Sequence, residues 1–290
     1  MNNHLALGTA QFGLPYGIAN QKGQVSLEDA KGIVALARLS GIDTIDTAIA
    51  YGDSETCLGD IGLDGFKVIT KLPAMPDDVT DVVFWVRKHM QASLKRLNIT
   101  KVYGLLFHRS KQLLGSKGKG LIQAIDQLKA EGVVQKIGVS IYAPSELDNL
   151  KNLFQIDLVQ SPFNLLDQRL KSSGWLQKLY DTKVEVHTRS TFLQGLLLMK
   201  VISIPENFKH WRPLFDTWHN WLLDNNISAA QACLGFVQAH PQISKILVGV
   251  ESVQQLKQLI QLQKELPITS WPNINCSDEY LINPSNWSML

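Results

Sequence analysis

Residues 102–140 read VYGLLFHRSKQLLGSKGKGLIQAIDQLKAEGVVQKIGVS. The stretch opens with a nearly continuous apolar run, Val102–His108, and closes with a second, Ile137–Ser140. Such runs suit strands covered on both faces. Between them Leu121, Ala124, Ile125 and Leu128 follow the i, i+3, i+4, i+7 spacing of one helix face. A strand, a helix and a second strand form a crossover unit, the connection that parallel pairing requires.

The same alternation extends in both directions. Further strand-like runs are Leu5–Gly8, Thr44–Thr47, Val68–Lys71, Leu158–Ser161, Val184–Thr188 and Ile246–Val250. Helical stripes include Ala30, Ile33, Val34 and Ala37, and a longer one through Val83, Val86, Met90, Leu94 and Leu97. Ser26 with Asp29, Ser228 with Gln231 and Ser252 with Gln255 have capping-box spacing. A glycine-rich turn, Gly115–Gly120, precedes a helix expected to start near Leu121. Eight strands with interleaved helices predict an α/β chain closed as a (β/α)8 TIM barrel, for which about 250 residues is typical. The rival is an open doubly wound sheet. Its nucleotide-binding form wants GxGxxG after the first strand, where this chain has Gly8-Thr-Ala-Gln-Phe-Gly13. No linker-like tract divides the chain. A single domain over 1–290 is expected, with 265–290 as a C-terminal segment near the barrel mouth.

Composition narrows the function classes. Apolar residues make up 45% and charged residues 19%, which argues against disorder. The 28 Lys+Arg and 26 Asp+Glu leave a net charge of +2, so no global basic field points to nucleic acid. The basic stretch Lys111 to Lys119 reads as a solvated loop. No apolar run approaches the roughly 20 residues of a membrane span. Three scattered cysteines, Cys57, Cys233 and Cys276, have no metal-site spacing and read as free thiols. With no signal-like N-terminus, the chain is expected to be cytoplasmic, without a metal.

In a barrel of this kind chemistry sits at the C-terminal strand ends. The second run reaches Asp46, with Tyr51 just beyond. Phe66-Lys-Val-Ile-Thr-Lys71 ends in Lys71, and Tyr103-Gly-Leu-Leu-Phe-His108 ends in His108. Ser140 ends the fifth run and the sixth carries Gln160. Each residue alone has an ordinary structural reading. Together their chemistry is coherent. A tyrosine hydroxyl, ordinarily near pKa 10, is a poor acid or base near neutrality. A neighbouring ammonium stabilises its phenolate. An aspartate holds the ammonium charged and oriented, and a histidine positions a carbonyl oxygen. Such a set protonates an oxygen as negative charge develops on it, which suits carbonyl reduction by hydride.

Asp46-Thr-Ala-Ile-Ala-Tyr51-Gly-Asp-Ser-Glu55 resembles the signature of the aldo-keto reductase family, and Lys71 and His108 match the rest of that family's catalytic tetrad. The resemblance runs from Gly8 to about Leu256. It implies a TIM barrel, NADP(H) or NAD(H) as cofactor, a small-molecule carbonyl substrate and reversible reduction of an aldehyde or ketone. It also implies cofactor-binding positions. Gly8 ends the first run and Thr9 follows it. Ser140 and Gln160 match residues that hold the nicotinamide carboxamide. Arg189, Ser190 and Gly195 match the segment after strand seven. Gly249, Glu251 and Gln255 match the strand and helix where the adenosine phosphates rest, at a helix N-terminus suited to anions.

The chain departs from the family at three positions. Ile141 stands where an Asn is usual, and Arg189 where a Tyr stacks on the nicotinamide. Guanidinium is planar and can also stack. Glu251 aligns with an Arg found near the adenosine 2′-phosphate. Lys245 or Lys257, from a shifted position, would restore a positive charge, so use of both cofactors is expected.

Of the seven tryptophans, most read as packing residues, with Trp271 or Trp287 as candidates for the substrate mouth. His187, His219 and His240 read as structural. Two other readings stay open. One is a non-catalytic, nucleotide-binding barrel that regulates a partner. The other is a lyase or aldolase with Lys71 as a Schiff-base nucleophile.

Overall fold

The computed structural model describes residues 4–265 and 267–289. Residues 1–3, in the N-terminal segment read above, and Leu266 and Leu290, in the C-terminal one, lie outside these. Eight parallel strands form one closed barrel in sequence order. They are β1 (Leu5–Gly8), β2 (Thr44–Asp46), β3 (Lys67–Leu72), β4 (Val102–Phe107), β5 (Val134–Ser140), β6 (Leu158–Pro162), β7 (Glu185–Arg189) and β8 (Lys245–Gly249). Gly8 pairs with Asp46 on one side and with Gly249 on the other, which closes the ring.

All eight expected strands are present, the first with the expected ends and the others with ends shifted by no more than three residues. Helices follow each strand, including Leu27–Leu39, Val82–Leu97, Gly118–Ala130 and Val253–Leu262. The expected stripes are their buried faces: Ala30, Ile33, Val34 and Ala37 are fully buried, as are Val86, Met90 and Leu97. Ser26, Ser228 and Ser252 each accept from the backbone N–H three residues on, at 3.1, 3.2 and 3.3 Å. This satisfies one free donor at each helix start.

One helix starts earlier than expected, at Gly118 and not near Leu121. A Cβ at Gly118 would lie 1.9 Å from the Leu113 carbonyl oxygen. Glycine's weak helix propensity hides this start, while close packing of the backbone requires the glycine.

The main core lies between the strands and the helices, and Ile69, Leu106 and Leu158 form a separate buried cluster. Charged residues collect at the N-terminal strand ends. Lys245 pairs with Asp43 at 2.5 Å, Lys67 with Asp43 at 3.1 Å, and Lys136 with Glu185 at 2.8 Å. Burial is the largest influence on the Asp43 and Glu185 carboxyls and would raise them. Their hydrogen-bond partners outweigh it and hold both down, at about 2. Among the described residues, no helix is long and apolar enough to cross a membrane.

Candidate active site

Asp46 ends β2, Lys71 lies near the end of β3, and His108 follows β4. The chain beyond β2 stays close to β3: Thr47 N–H donates to Ile69 O at 2.8 Å, and Ile49 N–H to Lys71 O at 3.2 Å. This path carries Tyr51 over Lys71. Two glycines permit the next turn. A Cβ at Gly13 would sit 1.8 Å from Tyr51 O, and Gly52, at φ +53°, would place one 2.3 Å from Gly13 O. The Ser54-Glu55 pair of the motif anchors the turn and does not join the polar cluster above it. Ser54 Oγ donates to Thr9 O at 2.9 Å. Buried Glu55 accepts from Thr70, Ser93 and Arg96.

The four expected catalytic residues converge. Lys71 Nζ is 2.5 Å from Asp46 Oδ1, 2.9 Å from Thr47 O and 3.5 Å from Tyr51 Oη. Lys71 is fully buried and Asp46 nearly so. Burial alone would favour the neutral amine, but Asp46 and Tyr51 outweigh it and Lys71 is raised above its ordinary value. Its three N–H donors match three oxygen acceptors. The His108 ring stands edge-on to Tyr51, with centroids 5.7 Å apart. Burial, then Lys71, Arg189 and Arg109, hold the imidazole down at about 3. His108 is therefore neutral near pH 7.

A cavity of about 710 Å³ begins at this cluster, within the size range of ligand sites. Asp46, Tyr51 and Gln160 line one end. Of the ten expected cofactor positions, Gly8, Thr9, Gln160, Arg189, Ser190, Gly195, Gly249, Glu251 and Gln255 line it. Ser140 does not; it is buried at the end of β5, where it pairs in register with Gln160. Gln160 Nε2 donates to Asp46 Oδ2 at 2.7 Å, a contact the sequence did not suggest.

Arg189 donates to Ile141 O at 3.0 Å, and its guanidinium carbon is 4.7 Å from the Tyr142 ring centroid. The position aligned with a stacking Tyr thus carries a cation resting on a Tyr from another loop. Beyond it the backbone is unusual: Ser190, Leu193 and Gln194 all have positive φ. Asn164 Nδ2 holds this loop by donating to Ser190 O at 2.9 Å. The loop after β1 meets it. Gln194 Nε2 donates to Tyr16 Oη at 3.2 Å, and a Cβ at Gly195 would be 2.4 Å from Ala19 Cβ. Sequence reasoning missed Gln11, Tyr16, Asn20 and Gln194 as lining residues, because their loops carry no periodic pattern.

The far end of the cavity carries Glu251, Gln255, Gln258 and Glu265. A Cβ at Gly249 would come within 2.5 Å of the Gln11 amide, so a side chain there would have to displace Gln11. Lys245 cannot supply charge to this end. It starts β8 at the opposite end of the strand and pairs with Asp43. Lys257 does not line the cavity.

Neither candidate tryptophan lines the cavity. Trp271 Nε1 donates to Ala232 O at 3.2 Å, and Trp287 Nε1 to Leu281 O at 3.0 Å. Both pack on phenylalanines, Phe236 and Phe208. The segment around them docks on loops from the C-terminal strand ends: Cys276 N–H donates to Leu166 O at 2.8 Å, and Glu279 pairs with Arg169 at 2.9 Å.

Comparison with known proteins agrees with the fold. An uncharacterized oxidoreductase of Bacillus subtilis (strain 168) is 24% identical over 243 residues, covering 76% of this chain and 78% of its own. An aldo-keto reductase of Gibberella moniliformis is 22% identical, covering 69% of this chain and 63% of its own. Among solved structures, the holo form of an aldo-keto reductase from Bacillus halodurans superposes with a TM-score of 0.73 at 19% identity, covering 92% of this chain and 88% of its own. A glycerol dehydrogenase from Gluconobacter oxydans gives 0.71 at 20% identity, with the same coverage. At these identities the two structures establish the fold alone. The Aldo/keto reductase family model matches residues 4–278, which span all eight strands of the barrel, and the chain belongs to that family of oxidoreductases.

Proposed function

We propose that this chain reduces an aldehyde or ketone to the alcohol with a nicotinamide cofactor, and that Tyr51 is its general acid. The observation that carries this reading is the chain Asp46–Lys71–Tyr51 beside a neutral His108, at one end of a long cavity.

The residues present fit the cofactor. The cavity runs from the polar cluster to the helix Val253–Leu262, whose first-turn N–H groups lack preceding carbonyls and favour phosphate oxygens. Gly8 and Gly249, paired in register and both lining the cavity, present no side chain beyond Cα to it. Arg189, Ser190 and Gln160 would hold the nicotinamide end, and Gly249, Glu251 and Gln255 the adenosine end. When bound, the nicotinamide supplies the hydride. The protein supplies the proton. Tyr51 Oη gives it to the carbonyl oxygen, while Lys71, kept charged by Asp46, stabilises the phenolate that remains. Neutral His108 donates an N–H to the same oxygen and orients it.

We also infer a preference for NADH. The far end offers Glu251 and Glu265, which repel a 2′-phosphate and can accept from a 2′-hydroxyl. This revises the expectation of dual use, since Lys245 lies at the wrong end of β8.

The Schiff-base reading has less support. A nucleophilic lysine must be neutral and reachable. Lys71 is buried, raised and bonded to three oxygens. The non-catalytic reading has no residue in its favour, since all four tetrad members stand together. Fluorescence titration with NADH and NADPH, then a carbonyl panel with the preferred cofactor, tests the proposal. Tight cofactor binding with no turnover of any aldehyde, ketone or alcohol would leave the non-catalytic barrel in its place.

A further inference from the structure

Two guanidinium groups stand beside His108 without an acidic partner. Arg109 follows His108 directly and precedes the short turn Ser110–Leu114. Its guanidinium carbon is 5.4 Å from the Tyr142 ring centroid, and that of Arg189 is 4.7 Å from the same ring. Arg189 is fixed by Ile141 O and Ser190 Oγ, both neutral. The Arg109 side chain is exposed, and its N–H donors have no acceptor in the protein among the described residues. One neutral ring thus gathers two cations that repel each other.

The acids in this region are otherwise engaged. Glu146 accepts from the Ser110 hydroxyl and from the N–H groups of Tyr142 and Ala143. Asp167 and Glu279 are paired with Arg169. Asp46 is paired with Lys71. Lys71, Arg189 and Arg109 all act electrostatically on His108; Arg189 also lines the cavity, whereas Arg109, like His108 itself, lies outside its lining. Like charges gathered with no counter-ion cost free energy in the empty site and are relieved by an anion.

We propose that Arg109, with Arg189 behind it, forms an anion subsite, and that the carbonyl substrate carries an oxyacid group, a carboxylate or a phosphate, held there while its carbonyl meets Tyr51 and His108. This rests on the carbonyl reduction proposed above. The planar fork of a guanidinium matches either group, and such contacts are charge-assisted. Arg189 is the more deeply set of the two and contributes field; Arg109 has the free donors.

The test uses matched pairs of aldehydes with the cofactor-saturated enzyme: succinic semialdehyde against butanal, and glyceraldehyde 3-phosphate against glyceraldehyde. The readout is the ratio of kcat/KM, anionic over neutral. The wild type should favour the anionic member of at least one pair by about tenfold or more. The favoured pair identifies the oxyacid. Arg109→Gln should lower that ratio about tenfold, mainly through KM. Arg109→Lys should retain part of it. Lys111→Gln removes an equal charge two residues away and should leave the ratio within about twofold. Equal rates for both members of each pair overturn the subsite and leave carbonyl reduction standing. So does an effect of Lys111→Gln as large as that of Arg109→Gln.

If no aldehyde is turned over, the carbonyl reading fails on its own. Calorimetry of the cofactor-loaded protein with succinate and with inorganic phosphate then decides the subsite. Binding about tenfold weaker in Arg109→Gln supports it, and binding that is absent or the same in both proteins overturns it.

Discussion

Gln160 Nε2 donates to Asp46 Oδ2 at 2.7 Å, while Lys71 Nζ holds the other oxygen of the same carboxylate at 2.5 Å. The buried carboxylate is therefore fixed from two strands, β6 and β3. A rigid aspartate keeps the ammonium aimed at Tyr51. Gln160→Leu should leave Oδ2 without a donor and lower stability by about 1–3 kcal/mol. Turnover should fall with it as the Lys71 position loosens. Urea unfolding together with kcat measures both; wild-type stability would mean that the Gln160–Asp46 bond is not needed to satisfy the carboxylate.

Tyr51→Phe removes the proposed proton donor and keeps the ring. Reduction should fall about 10²–10⁴-fold. Cofactor affinity should stay within about threefold, since the cavity extends well beyond Tyr51. Full turnover by Tyr51→Phe on a good substrate would exclude the proposed acid.

The Lys71–Asp46 pair is buried, so removing one partner strands the other charge. Lys71→Met or Asp46→Leu alone should cost about 3–5 kcal/mol of stability. The double variant should regain most of that and still lack activity. Denaturant midpoints for the two singles and the double form the cycle. Additive losses would show that the pair is not coupled.

His108 is held down at about 3, against 6.5 for the free imidazole. Between these values the unfolded chain binds a proton that the folded chain does not. Its contribution to stability is thus complete above about pH 6.5 and is lost as pH falls toward 3, by up to ~1.4 kcal/mol per pH unit. Asp43 and Glu185, held at about 2, add their own acid loss only below their unfolded values near 4. The window from pH 6.5 to 4.5 therefore isolates the imidazoles. His108→Phe should reduce the stability slope there, leaving what His240, also held down mainly by burial, contributes. An unchanged slope would place the imidazole in water.

Glu251 lines the far end of the cavity, and its N–H donates to Gln255 Oε1 at 2.7 Å. Glu251→Arg should strengthen NADPH relative to NADH by about 1–2 kcal/mol, the scale of a partly exposed charge-assisted contact. Dissociation constants for both cofactors at one salt concentration give the ratio. No change would show that Glu251 does not face the 2′ position.

The order of strands and helices was determined by the sequence itself. Apolar runs and helical stripes are local patterns, and a closed parallel barrel is what eight crossover units permit. Asp46, Lys71 and His108 were legible for the same reason: polar residues that end apolar runs must face the barrel mouth. Tyr51 came from the spacing of a motif. Only the tertiary structure decided what these residues touch. Gln160 meets Asp46 across 114 positions of sequence because β2 and β6 close around one interior. The turn that sets Tyr51 over Lys71 depends on backbones approaching at Gly13 and Gly52, which no periodicity records. Arg109, Tyr142 and Arg189 come from three separate strand ends and share one ring contact only after closure. Of Lys245 and Lys257, the two candidates for a charge at the far end, Lys245 begins a strand whose partners all run parallel to it, so it lies at the opposite end of the barrel from the mouth, and Lys257 does not line the cavity. Local periodicity fixes elements, whereas contacts between distant segments arise from barrel closure and from how closely backbones can approach.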